Sequence, residues 1–212
     1  MKKFITFEGG EGTGKSTQSK LLSKSLSTIN EKNLLTREPG GTKVSDKIRK
    51  ILVEGKNNDI SSDAELLLIY ASRHQHIKEK IMPSLKEKTV ICDRFIHSTI
   101  SYQFDIKNFT KKLDFFHKNF AFNLMPDLTI LLDLAPSIGL TRSLSIKRKE
   151  IRFEKKDKTY HEMIRRNFLK LCNKNKKIFK VDASLSKKVV HKKIVNHVNS
   201  LLFFKRKLPF VI

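Results

Sequence analysis

The sequence predicts an α/β three-layer sandwich, a five-stranded, mainly parallel sheet with helices on both faces. Three observations carry that expectation. Five short β-like runs lie at 4–7, 33–37, 89–92, 128–134 and 177–181. Each is followed by a polar or helical stretch, and strands alternating with helices argue for parallel strands joined by crossover helices. Leu128-Thr129-Ile130-Leu131-Leu132 is almost unbroken apolar, as a strand covered on both faces must be.

The helical pieces fill the gaps in order. Residues 15–27 carry Leu21, Leu22 and Leu26 at helical spacing. Ser62 and Glu65 have the S-x-x-E spacing of a capping box and open a run through His76. Pro136 suits the first turn of a helix after the fourth strand. Residues 158–173 and 187–203 read as the last two long helices, the final one ending on the core. Residues 143–158 are so charged that a mobile lid is expected there. With no repeat or Gly/Ser linker, the 212 residues read as a single domain spanning 1–212.

Composition narrows the function classes. Lys and Arg number 44 against 21 acids, a formal net charge of +23. One reading is an anionic partner: nucleic acid, a membrane surface or a phosphorylated substrate. The other is a compositional excess of Lys spread over solvent-facing positions. The lack of a single basic block interleaved with aromatics favours the second, so neither a nucleic-acid nor a membrane partner is expected. Cys92 and Cys172 form no CxxC, which argues against a zinc site or a disulfide scaffold and fits a reducing cytoplasm. No apolar signal core and no run of membrane-spanning length is read. His74 and His76 flank Gln75, but residues two apart do not face each other on a helix, so no metal pair is read there.

The chemistry opens with Phe7-Glu8-Gly9-Gly10-Glu11-Gly12-Thr13-Gly14-Lys15-Ser16-Thr17. Gly9 through Ser16 satisfies G-x-x-x-x-G-K-[ST] between a β-like run and a helical one. The glycines let the backbone turn tightly and approach an anion. Successive N–H groups and the positive end of the next helix then face phosphates. Lys15 would reach the β- and γ-phosphates and Ser16 would offer a hydroxyl to Mg²⁺, so a nucleoside triphosphate is the expected ligand, held by an ATPase or a kinase alike, and the architecture is that of a P-loop NTPase. The third β-like run ends in Asp93-Arg94-Phe95. At the carboxyl end of a parallel strand these side chains face the ligand crevice, Asp93 toward Mg²⁺ and Arg94 toward a second phosphate.

Together with Thr36-Arg37-Glu38-Pro39-Gly40-Gly41-Thr42, Ser98-Thr99-Ile100-Ser101-Tyr102-Gln103 and Gly139-Leu140-Thr141-Arg142, these pieces resemble bacterial thymidylate kinase, in the family's order and over most of the chain. The resemblance implies transfer of the γ-phosphate of ATP to dTMP, Mg²⁺ dependence, a cytoplasmic enzyme and a homodimer packed through helices. It implies that Glu11 lies near the deoxyribose and the metal. Glu38, Pro39, Ile69, Arg73, Arg94, Ser98, Thr99, Tyr102 and Gln103 would form the dTMP site, with Tyr102 crowding a 2′-hydroxyl. Arg142, Asp182 and Ala183 would join the phosphate loop around ATP. The phosphate loop has no arginine, which in the family goes with basic lid residues; Arg148 is the expected catalytic one, with Lys147 and Arg152 as rivals.

Three positions depart from the family's pattern. Ile69 stands where a phenylalanine commonly stacks on thymine, a loss on the order of 1 kcal/mol. Phe104 follows Tyr-Gln in place of Gly, and Ile151 replaces an acid before the lid's Arg-x-Glu. The first keeps open a kinase for another pyrimidine nucleotide such as dUMP or dCMP. A nucleic-acid-binding P-loop ATPase would use the charge but leave residues 37–42 and 94–102 without a task. A catalytically weak nucleotide-binding protein is the third alternative.

Overall fold

The computed structural model describes residues 2–54, 60–103, 109–145, 152–153 and 156–211. Five strands, β1 (Phe4–Glu8), β2 (Asn33–Arg37), β3 (Thr89–Asp93), β4 (Leu128–Asp133) and β5 (Ile178–Asp182), form one sheet in the order β2-β3-β1-β4-β5. Every pairing is parallel, so the expected architecture holds without an antiparallel edge among the described residues. All of β1 is buried, whereas the edge strands β2 and β5 mix buried and accessible positions. That is the pattern of a sheet covered on both faces at its centre and thinning to its rims.

The helices are α1 (Lys15–Thr28), α2 (Lys43–Glu54), α3 (Ser62–His76), α4 (Met82–Leu85), α5 (Ile96–Tyr102), α6 (Phe109–Phe120), α7 (Pro136–Leu144), α8 (Lys158–Lys174) and α9 (Lys187–Ser200); a π turn, Ile77–Ile81, joins α3 to α4. Leu22 and Leu26 of α1 and Val190, Ile194 and Val198 of α9 bury one face of the sheet with Ile5, Phe7 and Ile130. Leu66 and Tyr70 of α3 join Phe4, Val90 and Phe95 in a second cluster, and Ile164 and Phe168 of α8 meet Tyr102 in a third.

Two expectations change. The cap of α3 is Ser61, whose side chain accepts from the Ala64 N–H at 3.3 Å, not Ser62. Glu65 is therefore not half of a capping box; it turns inward to Gln103 and Arg152. The last helix stops at Ser200, because Asn199 takes both backbone groups of Leu208 and folds the chain back, burying Leu208. Phe203 and Phe204 then pack on the core from a loop. The helix α2 was unforeseen, although Thr42 marks its start: the Thr42 Oγ1 accepts from the Ser45 N–H.

Candidate active site

The carboxyl ends of β1, β2 and β3 open into one crevice, and the phosphate loop lies between β1 and α1. Gly12 has φ +65° and a Cβ there would fall 1.9 Å from the Gly139 carbonyl oxygen, so α7 abuts the loop backbone directly. That contact gives the Gly139-Leu140-Thr141-Arg142 motif its first residue. Lys15 folds into the loop, donating to the Gly10 oxygen at 2.6 Å and the Gly9 oxygen at 3.1 Å. Burial pushes its pKa down to about 8, with the Arg94 charge acting in the same direction. Ser16 Oγ lies 2.5 Å from Asp93 Oδ2. A hydroxyl and a carboxylate in contact at a phosphate loop are the hard oxygen donors that Mg²⁺ takes, with phosphate and water completing its shell.

Arg94 turns the chain after β3 with φ +70°. For a residue with a Cβ this left-handed conformation costs about 1–2 kcal/mol. It is held by Glu8, a buried acid at the end of β1, which accepts from the Phe95 N–H at 2.9 Å and from Ser98 Oγ at 2.5 Å. The guanidinium donates to Glu11 at 2.7 Å, to Ser98 at 3.2 Å and to the Gly9 oxygen at 3.1 Å. Burial works against its charge, and Glu11, Tyr102 and Asp93 outweigh burial, so its pKa stands above the usual arginine range. Tyr102 donates to the same Glu11 oxygen at 2.9 Å.

Beside this turn lies a largely apolar cavity. It contains all nine residues expected around dTMP: Glu38, Pro39, Ile69, Arg73, Arg94, Ser98, Thr99, Tyr102 and Gln103. Arg73 is a wall of it rather than a surface arginine. Its Nε donates to Glu38 at 2.8 Å and its Nη2 to Thr99 at 3.0 Å. Burial raises the Glu38 carboxyl, but Arg73 and His76 more than offset this and hold its pKa below the usual value. Tyr70 does not enter the cavity; it stacks on Phe116 with centroids 5.2 Å apart.

A second, more polar cavity runs along the phosphate loop past Lys15, Ser16, Asp93 and Arg142. Its far wall is Ser184, Leu185, Ser186 and Lys187, not the expected Asp182 and Ala183. Asp182 accepts from Ser184, and the Ala183 carbonyl accepts from Arg142 Nη1 at 3.1 Å, so both shape the wall from behind. Arg148 and Lys147, like Phe104 and Ile151, lie outside the described residues. Arg152 is described and buried, with its guanidinium on Glu65 and on the Leu52 carbonyl rather than in the phosphate-loop cavity.

Several participants were missed. Glu8 was legible as an acid closing an apolar strand. Arg49 and Phe153, which line the apolar cavity, carried no local signal. Neither did His76, wedged between Thr36 and Glu38 at 2.7 Å and 3.2 Å, because its partners are 40 and 38 residues away in sequence.

The chain matches the thymidylate kinase family model over residues 7–194. A thymidylate kinase of Magnetococcus marinus is 41% identical over 207 residues, covering 95% of this chain and 97% of its own. One from Pelobacter propionicus is 38% identical over 213 residues, covering 94% and 97%. Among solved structures, the thymidylate kinase of Ehrlichia chaffeensis superposes with a TM-score of 0.73 at 32% identity, over 93% of this chain and 98% of that one.

Proposed function

The chain belongs to the thymidylate kinase family, and on that premise we propose how it moves the γ-phosphate of ATP onto dTMP to give dTDP and ADP. One observation carries the reading: the phosphate-loop cavity and the apolar cavity share Glu11, Glu38, Arg49 and Arg94. Two anionic tails entering from opposite sides therefore meet at Arg94. An ATPase with a single substrate has no use for the second cavity.

ATP lies along the loop from Gly9 to Thr17, its β- and γ-phosphates taken by Lys15 once that ammonium leaves the loop carbonyls. The ribose and adenine run toward Arg142 and residues 184–187. The dTMP base enters between Ile69, Arg73 and Gln103, and its phosphate takes Arg94 in exchange for Glu11. A dTMP phosphate oxygen attacks the γ-phosphorus, the bond from that phosphorus to the β,γ-bridging oxygen breaks, and ADP departs. Positioning and charge neutralisation supply most of the acceleration for such a loose transition state, so no covalent protein intermediate is required. Ser16 and Asp93 would hold Mg²⁺, which when bound neutralises phosphate charge. Arg148 remains the proposed catalytic arginine of the lid.

We also propose a homodimer. Phe115 and Phe120 of α6 are 58% and 41% exposed and touch each other, and Phe122 just beyond is 45% exposed. Such an apolar face is what a helix-packed dimer would cover. No helix among the described residues is long and apolar enough to cross a membrane, and we place the enzyme in the cytoplasm.

The test is ADP release with dTMP, dUMP, dCMP and no acceptor. dTMP should give the fastest turnover and Lys15→Ala should abolish it while leaving the thermal melt intact. ADP release with dTMP no faster than without an acceptor would overturn the reading, and stimulation by DNA instead would favour an ATPase.

A further inference from the structure

Gln103 is 3% exposed and lines the apolar cavity, yet its two amide atoms stand in opposite situations. The Nε2 donates to Glu65 Oε1 at 2.7 Å, whereas the Oε1 has no partner among the described residues. An ionised carboxylate only accepts, so the amide cannot turn over without setting oxygen against oxygen. Glu65 is itself held: its other oxygen takes Arg152 Nη1 at 2.6 Å, and Arg152 also donates to the Leu52 carbonyl at 2.9 Å. The cavity wall thus keeps one buried acceptor of fixed polarity, and Arg73, which can only donate, lines the same cavity.

This pairing suits one edge of a pyrimidine. Thymine presents a carbonyl oxygen at position 4 and an N–H at position 3. Cytosine presents an amine and a bare ring nitrogen at the same places. The fixed Gln103 oxygen accepts from the thymine N–H but meets a lone pair on cytosine, while Arg73 suits a carbonyl and opposes an amine. We infer that Glu65 is a positioning residue for base choice: by holding the Gln103 amide in one orientation it makes the site take thymine and uracil and refuse cytosine. The inference rests on the thymidylate kinase reading and adds how the base is selected in a chain with Ile69 in its wall. A site built to pair with a substrate N–H can discriminate by large factors, because the wrong base leaves its buried groups opposed.

The experiment compares kcat/KM for dTMP, dUMP and dCMP in the wild type, Glu65→Gln, Gln103→Met and Arg152→Met. In Glu65→Gln the new amide permits either orientation of Gln103. The preference for dTMP over dCMP should then fall by about tenfold or more, while the preference for dTMP over dUMP stays within about twofold, because both bases carry the N–H. Arg152→Met leaves Glu65 buried without its cation, so the carboxyl can take a proton and offer the amide a donor, and the preference for dTMP over dCMP should fall there too. A folded Glu65→Gln enzyme with wild-type preference overturns the inference. If Glu65→Gln does not fold, Gln103→Met decides: it should lose the preference for dTMP over dCMP, and retention overturns the inference. A wild type idle on dTMP sinks the parent reading and this with it, whereas an active wild type whose variants keep their preference sinks this alone.

Discussion

At the residue scale, Lys15 and Arg94 show how burial and neighbours prepare a charge for phosphate. Lys15 sits in the loop with its pKa lowered to about 8, chiefly by burial. A bound triphosphate favours the ammonium and raises that pKa. Below about pH 8 the lysine is charged in both states; above it, free enzyme must take up a proton to bind. ATP affinity should therefore weaken as pH rises from 7.5 to 9, with proton uptake on binding near pH 8.5, measured by titration calorimetry in buffers of different ionisation enthalpy. A flat profile would show that Lys15 stays charged and free of the loop's influence. Both residues were legible, Lys15 from its glycine context and Arg94 from the strand end it follows. The left-handed backbone of Arg94 was not, because its support is Glu8, 86 residues away in sequence.

At the element scale, α3 shows what local pattern can and cannot decide. Its existence and extent to His76 were legible from the S-x-x-E spacing and the run that follows it. Its cap was misread, since Ser61 and Ser62 are adjacent and both precede the run. The S-x-x-E spacing pointed to Ser62, but Glu65 is drawn to the buried Gln103 and Arg152 instead of back to the helix start. Ser61→Ala should cost about 1 kcal/mol of stability, and Ser62→Ala less than about 0.5 kcal/mol, in denaturant melts. The reverse order would restore the Ser62 cap. The inward face of α3 also explains why Ile69 and Arg73 share a cavity wall: they are four residues apart and so lie on one side of the helix.

At the scale of the whole molecule, the strand order puts β1 at the centre with β3 and β4 on either side, so that the loop after β1 and the turn after β3 meet over one crevice. The exposed aromatics of α6 lie away from the cavities' linings. Sedimentation at micromolar concentration should give twice the chain mass, and Phe115→Asp with Phe120→Asp should give the monomer. A wild-type monomer at that concentration would refute the dimer. Among the described residues the +23 charge has no single counterpart in the site.

A resemblance to a known family pointed to the residues of the proposed dTMP wall; the amino-acid order alone determined the elements whose signals are local: the β-like runs, the glycine loop with its lysine, and the acid and arginine after the third strand. Each depends on residues within a few positions of one another, where periodicity and turn chemistry act. Tertiary structure decided what those pieces do together. Only the folded chain brings Glu8 under the Arg94 turn, wedges His76 against Glu38, opens both cavities onto shared residues, and sets Glu65 between Gln103 and Arg152. Those contacts join residues 38 to 87 positions apart, so chain packing had to place them before hydrogen bonding and charge could act.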